Sequence, residues 1–157
     1  MELTLDQALQ KGIEAHKAGK AQEADRYYSA VLKANPRHSD ANHNMGVLAV
    51  GVGKVEEALP FFKTALEVNP NITQYWLSYI DALIKLDRIT DAKAVFDQAK
   101  SNGAKGDGFD KIESRLANIT NSVDGQTDEE ILAKAVDLQE SGKYNEAVNL
   151  LLLQINQ

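Results

Sequence analysis

A chain of 157 residues, 43% hydrophobic and 25% charged, has the size and composition of one folded domain or one module with an appendage, and not those of a disordered chain. It has no cysteine, so disulfides, thiolate metal sites and cysteine nucleophiles are excluded. The net charge of −6 lies in the C-terminal third: residues 1–106 carry 13 acidic and 13 basic side chains, and residues 107–157 carry 10 and 4. Neither segment clusters the cations that nucleic acid requires. No apolar run approaches the ~18 residues of a membrane helix, and the start MELTLDQALQKG lacks the basic and apolar regions of a signal peptide. No nucleic-acid or membrane partner is expected, and the cytoplasm is the expected location.

From the N-terminus the elements return with a period of 34 residues. Gly12 precedes Gly46 by that interval, as Gly19 does Gly53, Ala24 does Ala58, Tyr28 does Phe62 and Pro36 does Pro70. The comb runs on from Gly53 to Asp87, Ala58 to Ala92 and Phe62 to Phe96. The units are residues 5–38, 39–72 and 73–106, and each reads as two helices. The first helix shows apolar residues at helical spacing, as in Trp76, Leu77, Ile80, Leu83 and Ile84. A turn follows at Gly19-Lys20, Gly53-Lys54 and Asp87-Arg88, where glycine permits the left-handed backbone that ends a helix. In the second helix an alanine lets the helices approach, and an aromatic ring four residues later fills the space beside it. Asn35-Pro36 and Asn69-Pro70 stop that helix.

Within this comb the stretch NMGVLAVGVGK, from Asn44 to Lys54, invites comparison with a phosphate-binding loop. The match fails. Val52 stands where the lysine should follow Gly51, and Val55 replaces the Ser/Thr that would hold magnesium after Lys54. The period makes the stretch the first helix of the second unit, with GVGK as its turn. Pro60, inside the following helix, removes one backbone bond, and a local kink is expected there.

This pattern resembles the tetratricopeptide repeat. The second unit supplies Met45-Gly46, Ala49, Gly53, Ala58, Phe62, Ala65 and Pro70; the first supplies Gly12, Gly19, Ala24, Tyr28 and Pro36; the third supplies Trp76, Ala92, Phe96 and Ala99. The resemblance implies an all-α right-handed solenoid of antiparallel helix pairs. Residues 40–70 and 74–100 also resemble the repeat segment placed ahead of transferase domains in aquatic bacterial proteins.

Beyond residue 106 the period breaks. Phe109, Ile112, Leu116 and Ile119 form one helical stripe, read as a capping helix over 107–121 that covers the flank of the third unit. Residues 122–127 read as a linker. Thr127 to Glu130 has the form of a capping box, and Leu138, Gly142, Tyr144, Ala147 and Leu151 recover the repeat in a partial fourth hairpin over 128–157. The apolar end of that hairpin suggests a chain cut inside a longer array.

No active site is legible. His16, His38 and His43 lack partners at zinc-ligand spacing, Glu56-Glu57 and Glu129-Glu130 sit at helix starts where they offset the dipole, and no nucleophile motif appears. No enzyme activity, metal or cofactor is expected. The family resemblance instead implies a concave groove on the first helices. Carried over residue by residue, it is lined by Leu9, Gln10, Ile13, His16 and Lys17, then by His43, Asn44, Val47 and Val50. The third unit contributes Leu77, Ser78, Asp81, Ile84 and Lys85. Asn44 occupies the place of a family asparagine that bonds peptide backbone, and its amide can donate and accept together. Leu9, Ile13, Gln74 and Ser78 stand in place of the clamp with which chaperone-binding members grip a C-terminal carboxylate. The expected function is a protein-interaction module that binds a peptide or protein segment, recruiting substrate for a fused downstream enzyme. The alternative is a homo-oligomeric assembly scaffold built on the terminal hairpin.

Overall fold

The computed structural model describes residues 3–124 and 128–155, and all regular structure among them is α-helix. In chain order these are α1 (Leu5–Lys17), α2 (Ala21–Ala34), α3 (Ser39–Gly51), α4 (Val55–Val68), α5 (Thr73–Lys85), α6 (Ile89–Ser101), α7 (Asp107–Asp124), α8 (Asp128–Glu140) and α9 (Tyr144–Ile155). They fall in two compact units, Met1–Ala82 and Leu83–Gln157.

The turn that joins each helix pair is one device used repeatedly. Lys20 N–H donates to the Ala15 carbonyl at 2.9 Å, Lys54 to Ala49 at 2.9 Å, Arg88 to Leu83 at 2.9 Å and Lys143 to Leu138 at 2.8 Å. Each bond closes a six-residue loop around a residue with positive φ, the motif that satisfies the last carbonyls of a helix. That residue is Gly19, Gly53 or Gly142 in three cases and Asp87, at φ 56°, in the fourth. The valine-rich stretch is helical from Ser39 to Gly51, so the period overrides its local β-propensity. The helix α4 continues through Pro60, whose carbonyl accepts a hydrogen bond from Thr64 Oγ1 at 3.0 Å.

In the first unit α1 packs on α2, α3 on α4, and α2 against α3. The core gathers Ala24, Tyr28 and Val31 of α2 with Ala41, Met45 and Leu48 of α3. Glycines set the closeness of each pair. A Cβ on Gly12 would lie 2.6 Å from a ring carbon of Tyr28, and one on Gly46 would lie 2.6 Å from a ring carbon of Phe62. Both rings are buried, each contributing roughly 2–3 kcal/mol of transfer free energy. The spacing of glycine and aromatic ring in the sequence is thus a steric pairing across the hairpin.

Loops between repeats are pinned by side chains. Asn42 Nδ2 donates to the carbonyls of Pro36 at 2.9 Å and His38 at 3.0 Å. One period later, Trp76 Nε1 donates to the Pro70 carbonyl at 2.7 Å. Different side chains at one register position hold the same loop acceptor.

In the second unit α8 pairs with α9, and α9 touches α6 and α7. Phe109, Ile112 and Leu116 of α7 are buried, with Phe109 5.5 Å from the ring of Phe96 on α6. The linker expected over 122–127 begins later than its first residue, because α7 continues to Asp124. No glycine or proline interrupts residues 119–124, so nothing stops the helix there. Residues 125–127, including the capping-box Thr127, lie outside the described residues.

Candidate peptide-binding groove

The first helices α1 and α3, with α5 as far as Ala82, carry the first-unit residues expected to line a groove. Where α3 faces α5, the structure builds a polar seam. The Tyr75 hydroxyl donates to the Asp40 carboxylate. His43 Nε2 and Ser78 Oγ are hydrogen-bonded at 2.9 Å, and Gln74 Nε2 donates to the same oxygen at 3.3 Å. The His43 ring stacks on Tyr75 with centroids 4.7 Å apart and leans on Phe62 at 5.8 Å. Burial holds the His43 pKa below the usual imidazole range, against a smaller opposing pull from the Asp40 charge. Burial, with the hydrogen bond to Asp40, pushes the Tyr75 hydroxyl up to about 12. At neutral pH the imidazole and the phenol are therefore uncharged, and Asp40 contributes the seam's charge.

The hydrogen-bonded Ser78 and His43 have the spacing of a nucleophile and its base. The constellation is incomplete for acyl transfer. The carboxylate that would orient the imidazole, Asp40, receives the Tyr75 hydroxyl, and Ser78 sits mid-helix, where the backbone N–H groups are spent inside α5. The His43–Ser78 pair ties α3 to α5.

The other expected groove residues divide by burial. Leu9 is buried in the core of the first unit, beside Ala8. Ile13 packs half-buried on that core, and His16 is half-buried with Nδ1 3.4 Å from the Tyr28 hydroxyl. His43 is committed to the seam. Asn44, Val47, Val50, Leu77 and Asp81 are half-buried, while Lys17 is exposed. Ile84, half-buried, and Lys85, exposed, belong to the second unit. Asn42 is the asparagine of α3 that serves the fold. The Asn44 amide makes no side-chain hydrogen bond to another described residue.

Sequence reasoning missed the seam. Its signal is a spacing of 35, one more than the period, which joins Asp40 to Tyr75 and His43 to Ser78. It also missed a cleft of 570 Å³ between α2, α3 and α4, floored by Met45, Leu48, Val52 and Phe61 and edged by Arg26 and Lys54. Among the described residues no group of three potential ligand side chains could hold a metal ion, and no helix is long and apolar enough to cross a membrane.

Residues 15–76 match the family model described as Tetratricopeptide repeat. No curated protein matches the chain. Several solved structures share its fold. The TPR2B domain of yeast Sti1, in complex with pHsp70, is 18% identical, with 73% of this chain and 96% of that one covered at a TM-score of 0.66. A thermophilic TPR protein of Thermus thermophilus is 17% identical, with 98% and 96% covered at 0.65. The O-GlcNAc transferase of Thermobaculum terrenum is 20% identical, with 63% and 20% covered at 0.57.

Proposed function

We propose that this chain, whose residues 15–76 match the tetratricopeptide repeat model, is a protein-interaction module that holds an extended peptide along α1, α3 and the first-unit part of α5. One observation carries the reading: Asn44 offers an amide with no side-chain partner among the described residues, beside the half-buried Val47 and Val50. Such an amide can pair with both the N–H and the carbonyl of a peptide backbone, while the valines receive side chains. Fold relatives with bound partners, such as the Sti1 domain, lend this reading support. A fused enzyme supplied with substrate by this module belongs to the same proposal, and the likeness to a fifth of the Thermobaculum O-GlcNAc transferase supports it.

The groove brings little positive charge, so binding should weaken only modestly with salt, and an affinity near micromolar corresponds to about −8 kcal/mol. The test selects ligands from a random peptide library on immobilised protein and titrates them by calorimetry. Asn44→Ala should weaken binding by about 1–2 kcal/mol. Unchanged affinity in Asn44→Ala, with loss in Val52→Gln, would instead put the peptide in the cleft between α2, α3 and α4.

A further inference from the structure

The terminal hairpin copies the register of the second repeat. Gly142 follows Gly53 by 89 residues, and α8 and α9 begin 89 residues after α3 and α4. Burial does not follow the register. Leu59 and Phe62 of α4 are 8% and 1% exposed, whereas their counterparts Val148 and Leu151 are 53% and 39% exposed. On the first helix of the hairpin, Leu132 and Val136 are 58% and 47% exposed, at the positions of His43 and Val47. In the second repeat α5 meets this row, laying Tyr75 against His43. The hairpin's own core, Ile131, Ala135, Ala147 and Leu150, is closed without these four side chains. By register they match His43, Val47, Leu59 and Phe62 of the second repeat, where the His43 and Phe62 rings lie 5.8 Å apart, and so they form one exposed apolar face.

The chain itself shows what closes such a face. From α3, Ala41, Met45 and Leu48 enter the core of the preceding repeat, a small residue followed by large apolar ones at i+4 and i+7. The matching positions of α1 hold Gln7, Lys11 and Glu14, so the α1 of a second copy does not offer this pattern. A second copy of the hairpin is opposed by charge, since residues 128–155 hold six acidic and two basic side chains. Glu140, exposed, continues the line of Leu132 and Val136 one turn further on.

We propose that the face made by Leu132, Val136, Val148 and Leu151 binds an amphipathic helix of a partner protein, with a small-large-large apolar stripe and lysine or arginine at its flanks. The stripe packs as α3 packs on the first repeat, and the basic flanks complement the acidic hairpin. This site is separate from the groove on α1 and α3.

The experiment uses the full chain and two fluorescein-labelled, helix-forming peptides of about 18 residues. Both carry Ala, Leu and Leu at the stated spacing; one has lysine at the flanking positions and the other glutamate. Fluorescence anisotropy should show saturable binding of the lysine peptide and at least tenfold weaker binding of the glutamate peptide. The double variant Leu132→Gln/Val148→Gln should lose at least tenfold with its far-UV CD spectrum unchanged, and Val136→Gln alone should weaken binding severalfold. Asn44→Ala should bind both peptides as the wild type does, which separates this site from the groove. Equal binding of the two peptides, or of wild type and double variant, overturns the proposal. So does light scattering that shows a dimer abolished by the double variant, because a second copy would then be the occupant.

Discussion

Replacing Gly46 by alanine sets two effects of known size against each other. Alanine is favoured over glycine in a helix interior by about 1 kcal/mol, so propensity alone predicts a gain. The new methyl, however, would stand 2.6, 2.8 and 2.9 Å from three ring carbons of Phe62, where ordinary carbon contacts are about 3.5–4 Å. Relief needs a ring shift near 1 Å. That ring is 1% exposed and hemmed by His43 at 5.8 Å, so α3 and α4 must part instead. Overpacking of this kind costs about 1–3 kcal/mol, which leaves a net loss of about 0–2 kcal/mol. The terminal hairpin suggests the cure, since Ala135 and Leu151 occupy the places of Gly46 and Phe62. Phe62→Leu alone should cost about 1–2 kcal/mol as a cavity, and the double variant should be more stable than the sum predicts by about 1 kcal/mol. Urea unfolding followed by fluorescence of Trp76, the sole tryptophan and buried in the first unit, measures the cycle. A higher midpoint for Gly46→Ala, or strict additivity in the double variant, refutes the steric argument.

Asn42→Ala should destabilise the first unit by about 1–3 kcal/mol, because the Pro36 and His38 carbonyls lose their donor; thermal unfolding measures it. His43 has a folded-state pKa below its unfolded value, so the unfolded state binds the extra proton first; stability is whole above about pH 6.5 and falls as the pH drops through the folded-state pKa. Urea midpoints between pH 8 and pH 5 should show that loss in the wild type and a shallower one in His43→Gln. Asp87→Gly should stabilise by about 1 kcal/mol, since glycine takes the left-handed turn without a steric penalty. Burial and the Glu146 charge hold the Asp87 pKa above its unfolded value. Any stability gained from that shift is present at low pH and lost as the pH rises, so the benefit of Asp87→Gly should be larger at pH 7 than at pH 3, as paired calorimetric scans will reveal.

What the sequence disclosed was local or periodic. The turn at Gly53 and the helical nature of Met45 to Val50 need only the 34-residue comb, whereas the pairing of Gly46 with Phe62 emerges only from the packed hairpin. The contacts that could not be read depend on the tilt of one helix against the next. That tilt brings Asp40 beneath Tyr75 and His43 beside Ser78, pairs separated by 35 rather than 34 residues. It also separates two asparagines of one type on one helix, sending Asn42 inward to a loop carbonyl and leaving Asn44 half-buried. Leu9 has a register position that suits a groove, and its packing buries it in the core. Position within a repeat identifies a row of residues; the neighbouring helix decides which members of the row meet solvent.

The pinned loops bear on where the chain can be lengthened. Between repeats, the Pro36 and Pro70 carbonyls are held by Asn42 and Trp76 from the helix that follows, so an added residue would pull each acceptor from its donor. Within repeats, a Cβ on Gly19 or Gly53 meets nothing within 4 Å, and those turns are closed by backbone bonds at their own helix ends, with exposed ion pairs from Lys20 to Glu23 and Lys54 to Glu57 beside them. A tag, loop or small domain spliced after Lys20 or Lys54 should leave the unit folded, while the same insertion after Arg37 should unfasten it. The two kinds of connection are alike in length and opposite in their tolerance.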